Sequence, residues 1–328
     1  MQIKKQNWPK STIPLVSISC ITYNHENYIR DCIEGFLMQE TNFRVEILIH
    51  DDASIDKTAN IIREYEKKYP NIIFPIYQKV NQKSKGKRPA FNNYNRARGK
   101  YIAICEGDDY WTNPFKIQKQ VDFLESNMDC MICYTRAKLI KENGEEYGET
   151  IPNRKKIKKF SYFEDQLRRN LVPNLTCVFR AGYLRKMPKF YFKHWCGDWL
   201  MHLFNSQYGK LGFIDEITAA YRKHDKGISK SIAKIDKIKN TIETYYSLNS
   251  YYKLKYKKII KKMISKQYSL LSKEYAIQKE KRKSIHYFLK SIELSPLNKY
   301  AILHQANFFL ALVYPNLLNY KKKKRVGD

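Results

Sequence analysis

The stretch Tyr101–Trp111, YIAICEGDDYW, constrains the rest of the chain most. Ile102, Ala103, Ile104 and Cys105 form a short apolar run of the kind buried inside a sheet. Polarity then switches abruptly: Glu106, Asp108 and Asp109 follow at once, with Gly107 among them. A strand ending in clustered carboxylates places them at its carboxyl edge, where open α/β sheets bind ligands. Gly107 permits the tight turn that lets two adjacent Asp side chains face one site. Carboxylates that close repel, unless a divalent cation sits between them and an anionic ligand. Mg²⁺ and Mn²⁺ are the natural candidates, since they take one or two carboxylates plus phosphate oxygens. A solvated acidic turn is the plain alternative for an Asp-Asp pair alone. The apolar strand before the pair and Tyr110-Trp111 after it argue against that alternative.

The flanking sequence supplies matching strand ends. Val16–Ile21 reads as a strand running into Thr22, Tyr23, Asn24 and His25, and Val45–Ile49 as one running into His50, Asp51, Asp52, Ala53 and Ser54. Residues 26–39 have helical spacing at Ile29, Ile33, Phe36 and Leu37, with Asn24 as a cap near the start. A second helix is expected over 56–69, with Asp56 as N-cap and Pro70 as stop. A third strand is expected over 72–77, a basic polar loop over 79–89, and a helix over 91–98 ended by Gly99. Strands separated by helices predict a parallel, doubly wound sheet whose strand ends share one edge. Three polar strand ends on one edge make a site. Downstream, the pattern predicts a helix over 114–126, a strand over 130–140, a charged loop over 141–159 and a short helix over 162–170. A strand over 175–179, a helix over 195–208 carrying Gly197-Asp198-Trp199, and a strand over 211–221 leading to Arg222-Lys223-His224 complete the α/β part. Composition changes near Ser229, after which the chain is helical in pattern and rich in Lys and Tyr. The expected division is therefore an α/β domain over 1–228 and a helical region over 229–328 with a faint helical-repeat look at 275–296.

Composition narrows the partners. The chain has 328 residues and is 43% hydrophobic, enough for a sizeable core. Lys and Arg outnumber Asp and Glu by 61 to 32, a formal charge of +29. That favours an anionic partner without choosing among nucleic acid, a membrane surface and phosphorylated substrates. Seven cysteines fit a reducing compartment, with Cys20, Cys105 and Cys177 in apolar runs as small core residues. Cys130 and Cys133 match C-x-x-C, but in a strand they would face opposite sides, and no second pair exists for zinc. MQIKKQNWPKS has no apolar core behind its basic start, so no signal peptide is expected. No run is long enough for a spanning helix; the nearest, Asn307–Leu318, is broken by Pro315.

Taken together, VSISCITYNHENYIRDCIEGFLMQ, VEILIHDDASIDKTANIIREY and GKYIAICEGDDYWTNPFKIQKQ resemble the nucleotide-sugar-binding half of family 2 glycosyltransferases. The likeness runs over roughly residues 14–225 and is strongest from Val16 to Leu124. It implies the GT-A fold: an α/β, Rossmann-like mixed sheet flanked by helices, here with a C-terminal all-helical extension. It implies that Thr22, Tyr23 and Asn24 line the nucleotide pocket, and that Asp52 contacts the base with Asp51 in support. Asp108 and Asp109 match the metal-binding motif, Asp109 as the direct ligand, with Mn²⁺ or Mg²⁺ bridging the donor's diphosphate. Glu106 and Trp111 complete an E-x-D-D-x-W form seen in a bacterial branch. Asp198 falls where the family places its catalytic base, often an ED pair; here Gly197 replaces the first acid. His224 matches a late His that approaches the metal or diphosphate.

The implied reaction is an inverting transfer from a nucleotide-diphosphate sugar, of UDP type, to a glycan or lipid-linked acceptor hydroxyl in surface or capsular polysaccharide synthesis. Lys83, Lys85, Lys87 and Arg88 precede the fourth strand within reach of a diphosphate, or make a solvated charge run. The terminal YKKKKR fits docking on the anionic inner face of a membrane, as it fits a solvated basic end; the expected location is cytoplasmic and peripheral. Three alternatives stand. A nucleotidyltransferase would need a Gly-rich loop after the first strand, which 22–25 lacks. A nucleic-acid binder gives no reason for acidic strand ends, so no nucleic acid is expected. A catalytically inactive scaffold has Gly197 as its single hint.

Overall fold

A computed structural model describes residues 1–9, 11–153, 157–194, 196–224 and 232–296. The chain divides into two compact units, Met1–Lys193 with Gly197–Asp225, and His194–Cys196 with Lys226–Asp328.

The first unit is built on one ten-stranded mixed sheet. Its strands are β1 (Val16–Thr22), β2 (Val45–Asp51), β3 (Ile73–Tyr77), β4 (Tyr101–Ile104), β5 (Tyr110–Trp111), β6 (Cys130–Lys141), β7 (Glu146–Ile151), β8 (Phe160–Ser161), β9 (Val178–Arg180) and β10 (Lys210–Lys223). The spatial order is β3-β2-β1-β4-β9-β6-β10-β5, with β7 on β6 and β8 on β10. β3, β2, β1 and β4 run parallel, so the expected edge of aligned strand ends is real: Thr22 lies opposite Asp51, and Asp51 opposite Tyr77. β2 is buried at every position, as strands covered on both faces are, and continuous apolar runs encode that.

The helices are α1 (Ile29–Leu37), α2 (Thr58–Lys68), α3 (Ala90–Arg96), α4 (Lys116–Ser126), α5 (Phe163–Arg168) and α6 (Gly197–Ser206). α1 buries Ile29, Cys32, Ile33, Phe36 and Leu37, its i, i+3, i+4 face, into the central core. It crosses β5 closely: a Cβ on Gly35 would stand 2.9 Å from the Trp111 backbone nitrogen. Trp111 is itself core, with its ring 4.8 Å from Phe36 and its Nε1–H donating to the Leu175 carbonyl at 2.8 Å. The tryptophan of the acidic motif therefore anchors the turn rather than facing a ligand.

Beyond β4 the sheet is mixed, as the GT-A resemblance implies: β9 is antiparallel to β4 and β6, and β5 is antiparallel to β10. Two expectations need correction. Residues 141–159 are not all loop, because β7 forms a hairpin with β6. That strand is exposed or half-buried throughout, so it carries no apolar alternation to read. The strand expected over 175–179 starts only at Val178; Asn174–Thr176 makes a short 3₁₀ turn that delivers Asn174 to the site.

All seven cysteines are free and buried, Cys130 and Cys133 included. The second unit contains α7 (Lys234–Tyr251), α8 (Lys257–Ile277) and α9 (Lys281–Leu294). α8 and α9 form an antiparallel hairpin sealed by small side chains. Ser265 and Ser291 donate reciprocally to each other's carbonyls at 2.7 and 2.9 Å, and Ser272 and Ser284 do the same at 2.8 and 2.9 Å. The seven-residue spacing on each helix keeps both pairs on one seam. Among the described residues no helix is long and apolar enough to cross a membrane. Trp195, the Asn307–Leu318 stretch and the YKKKKR end lie outside the described residues.

Candidate active site

The site is assembled from the carboxyl ends of β1, β2, β4 and β10 and from the start of α6. Asp51 closes β2 by taking the Ser54 hydroxyl and, at 3.3 Å, the Ser54 N–H. Ala53 and Asn24 both adopt left-handed backbone, at φ 65° and 55°. Asn24 ties the two strand ends together: its N–H donates to Ser54 Oγ, and its Oδ1 accepts from Ile55 N–H, each at 2.9 Å. Tyr23 points outward and is 41% exposed, an open aromatic face beside these turns. Thr22 is buried, and its Oγ1 has no hydrogen-bond partner among the described residues.

Asp52 is 2% exposed and spends its carboxylate on the basic loop. Oδ1 accepts the Gln82 N–H at 2.8 Å, and Oδ2 accepts the Lys83 N–H at 3.0 Å. Asn81 Nδ2 donates to the Asp52 carbonyl at 3.1 Å. The loop that carries Lys83, Lys85 and Arg88 is thus pinned to the end of β2. Lys85 itself is exposed, its N–H closing the loop on the Gln82 carbonyl at 3.1 Å.

After β4 the chain turns at Gly107, where a Cβ would stand 2.6 Å from Thr22 Oγ1 and 3.1 Å from His25 Nδ1. Only glycine lets the acidic turn press this close to the first strand end. Glu106 accepts from Asn174 Nδ2. Burial pushes its carboxyl up to about 7, with Asp108 beside it adding to the rise. Asp108 Oδ2 lies 3.0 Å from His224 Nε2 and 3.9 Å from His25 Nε2. Burial works to raise the Asp108 pKa, but the His224 hydrogen bond and nearby His25 outweigh it and hold it below the usual range. Burial also lowers His25. Asp109 is 3% exposed and its Oδ1 accepts the Arg222 N–H at 2.8 Å. Burial, then repulsion from Asp108 and Glu106, raises Asp109 well above the usual range.

Arg222 is the residue that sequence reasoning passed over. Besides its N–H on Asp109, its Nε donates to the Asp108 carbonyl at 3.1 Å, Nη1 to the Glu142 carbonyl at 2.9 Å and Nη2 to Asp31 at 3.0 Å. The guanidinium lies between the Tyr28 and Tyr110 rings, 4.9 and 5.6 Å from their centroids. One cation fastens both aspartates of the turn to β10. Nothing in the sequence singled it out among 61 Lys and Arg, because its partners Asp31, Asp108 and Asp109 are distant in the chain.

Asp198 is the second residue of α6. It is exposed, yet the protein packed around it raises its pKa, against the pull of backbone N–H groups, Arg88 and Lys83. The sequence-derived residues therefore fall into two groups. Asp108, Asp109 and His224 are brought together, with Thr22, Asn24, Asp51 and Asp52 on the adjoining strand ends. Asp198 stands with Lys83 and Arg88. Among the described residues, no three His, Cys, Asp or Glu side chains are already drawn into a metal cage.

A parallel half-sheet whose strand ends gather carboxylates and histidines, continued past one antiparallel strand by β6 and β10 so that the end of β10 brings His224 to the same edge, is the GT-A arrangement of a sugar-nucleotide transferase. A family model, Glycosyl transferase family 2, matches residues 17–192, and the chain belongs to that family. Among curated relatives, the Mycobacterium tuberculosis protein Rv1520 is 36% identical over 220 residues, 65% of this chain and 60% of its own length. This chain thus spans well under two thirds of that relative. Putative teichuronic acid biosynthesis glycosyltransferase TuaG of Bacillus subtilis is 28% identical over 69% of this chain and 84% of its own. In fold, the chain is similar to Staphylococcus aureus TarS 1–349 in complex with UDP-GlcNAc, at TM-score 0.60, 15% identity and 90% coverage of each chain. It is also similar to the mannosyltransferase PcManGT of Pyrobaculum calidifontis in complex with GDP-Man and Mn²⁺, at TM-score 0.54, 13% identity, 95% and 85% coverage.

Proposed function

We propose that this glycosyltransferase moves a hexose from a UDP-sugar to an acceptor hydroxyl with inversion, assisted by Mn²⁺ or Mg²⁺, in the synthesis of a surface polysaccharide. The observation that carries the reading is the Asp108–His224 pair, 3.0 Å apart on the strand-end edge, with His25 behind it. A carboxylate beside an imidazole fits a divalent ion of the Mn²⁺ kind, for which Asp108 and His224 would supply protein donors. Three buried polar atoms without partners among the described residues, Thr22 Oγ1, His25 Nδ1 and His224 Nδ1, border the same spot. Asp108 and His224 are the proposed ligands. Asp109, buried and accepting the Arg222 N–H, fixes the turn. The metal, when bound, supplies Lewis-acid stabilisation of charge on the departing diphosphate.

The chain's own residues do the rest. Asn24, Asp51 and Ser54 hold the two strand-end turns as one rim for the nucleoside, with Tyr23 as its exposed aromatic wall. Asp52 keeps the basic loop against that rim, and Lys85 extends from the loop toward the diphosphate. Asp198 takes the acceptor hydroxyl's proton as oxygen attacks the anomeric carbon. The crowding that raises its pKa makes it the stronger base, while Arg88 and Lys83 favour its ionised form. Free buried thiols support a reducing, cytoplasmic setting, and the polybasic end supports peripheral docking on an anionic membrane face near a lipid-linked acceptor.

The test is donor turnover. Asp198→Asn is expected to lower kcat by about 10²–10⁴-fold while Mn²⁺-dependent UDP affinity stays unchanged. Loss of UDP binding with no change in kcat would remove Asp198 from the role of base.

A further inference from the structure

The first residue of α6 is a glycine for a reason visible in its surroundings. A Cβ on Gly197 would lie 2.7 Å from Arg88 Nη1 and 3.1 Å from Arg88 Cζ. The guanidinium thus fills the volume in which a side chain at 197 would stand. Arg88 is aimed there by its neighbours: Nη2 donates to the Tyr191 carbonyl at 3.3 Å, and Cζ lies 5.4 Å from the Tyr191 ring centroid. Tyr191 in turn packs edge-on against Phe91 at 5.6 Å. Lys83 arrives beside it on the loop whose backbone Asp52 holds at 3.0 Å. Among the described residues neither cation forms an ion pair.

Arg88 stands on the Asp198 side of the site, against the residue before Asp198, whereas the groups facing Asp108 are His224 and His25. Lys83 lies between, acting on both Glu106 and Asp198. Both cations act on the Asp198 carboxylate from beyond ion-pair distance, so their donors are not taken up by it. A guanidinium and an ammonium placed this way can also hold an anion, the guanidinium in fork geometry that matches phosphate or carboxylate oxygens.

Resting on the transferase reading above, we propose that Arg88 and Lys83, with Gly197 making room for them, hold an anionic group of the acceptor beside the attacking hydroxyl. The acceptor is therefore a sugar or polyol that bears a phosphate or a carboxylate close to the hydroxyl that is glycosylated. Arg88 is a specificity-determining, positioning residue that acts on the acceptor, leaving proton transfer to Asp198.

The test is binding of small acceptor surrogates to the full chain loaded with UDP and Mn²⁺, read by ligand-observed NMR titration. The probes are sn-glycerol 3-phosphate, glycerate and, as the uncharged control, glycerol. The wild-type chain is expected to bind at least one anionic probe about ten-fold or more tighter than glycerol. Arg88→Met and Lys83→Met should each lose most of that preference, Arg88→Lys should restore part of it, and UDP affinity should stay within about two-fold in all three. The preferred probe tells a phosphate-bearing acceptor from a carboxylate-bearing one. Equal binding of glycerol and both anions would overturn the proposal, as would an anion preference untouched by either Met variant. Weakened UDP binding in Arg88→Met with the anion preference intact would assign the pair to the donor instead. Failure of the wild-type chain to bind UDP with Mn²⁺ strikes the transferase reading itself. The surrogates titrated without nucleotide still report on Arg88. Lys83, exposed and held through its backbone, gives a variant whose folding is not at stake.

Discussion

At the scale of single residues, the acidic turn works because its charges are fixed by groups far away in sequence. Arg222 reaches Asp109, the Asp108 carbonyl, the Glu142 carbonyl and Asp31 from one position on β10. Arg222→Met keeps the backbone N–H on Asp109 but removes three charge-assisted hydrogen bonds and both ring contacts. The expected cost is about 3 kcal/mol in urea unfolding, together with weakened Mn²⁺-dependent UDP binding. A loss of UDP affinity with stability unchanged would contradict the fastening role. His224→Ala, by contrast, removes one side of the Asp108 pair and should lower metal affinity while the fold stays intact, since among the described residues the ring donates to no backbone group. Thermal melts with and without Mn²⁺ separate the two effects.

At the scale of elements, two contacts decide how the site sits on the sheet. Gly35 lets α1 touch the backbone of Trp111, so Gly35→Ala forces α1 away from β5 and should cost about 1–3 kcal/mol in denaturant unfolding. A neutral result would mean that the two elements adjust freely. Beneath the turn, α4 buries Lys116 completely, with its ammonium on Gln120 Oε1 at 2.7 Å and 4.3 Å from the centre of the Trp111 ring. Burial lowers its pKa from 10.5 to about 8; nearby Cys177, Cys105 and Cys133 oppose that only weakly. Between pH 8 and 10.5 the unfolded chain carries a proton that the native state has shed. Stability contributed by this group therefore rises with pH through that window, by about 3 kcal/mol in all. Lys116→Met should abolish the difference: urea midpoints of wild type and variant should converge as pH rises from 8 to 10. Parallel curves would show that Lys116 is not shedding its proton.

The sequence disclosed the strands ending at Thr22, Asp51 and Ile104 because continuous apolar runs there break directly into polar turns. It disclosed the acidic pair and His224 because they close those runs. It did not disclose β7, whose side chains face water, or β5, a two-residue strand hidden inside the motif as Tyr110-Trp111. Nor did it disclose Arg222, since a cation in a chain with 61 Lys and Arg carries no signal until its partners are in space. The role of Gly197 was equally hidden: an absent side chain is explained only by the Arg88 guanidinium that fills its place.

At the scale of the whole molecule, the chain carries a formal charge of +29. Such a charge attracts anionic partners over a Debye length and loses that attraction in salt. Removing residues 321–325, all Lys or Arg, should weaken binding to vesicles containing anionic lipid by up to about 1 kcal/mol per residue. Vesicle co-sedimentation at low and high salt checks it, and equal partitioning of both chains would exclude the tail as the anchor. The central claim, a nucleotide donor held through a metal at Asp108 and His224, has a more direct test. It is a thermal-shift panel of UDP, GDP and CMP, each with and without Mn²⁺, on wild type and Asp108→Asn. UDP should raise the melting temperature only with Mn²⁺, equivalent to about 2.7 kcal/mol at a hundred-fold excess over Kd, and the shift should vanish in the variant. No stabilisation by any nucleotide, or a shift that persists in Asp108→Asn, would contradict it.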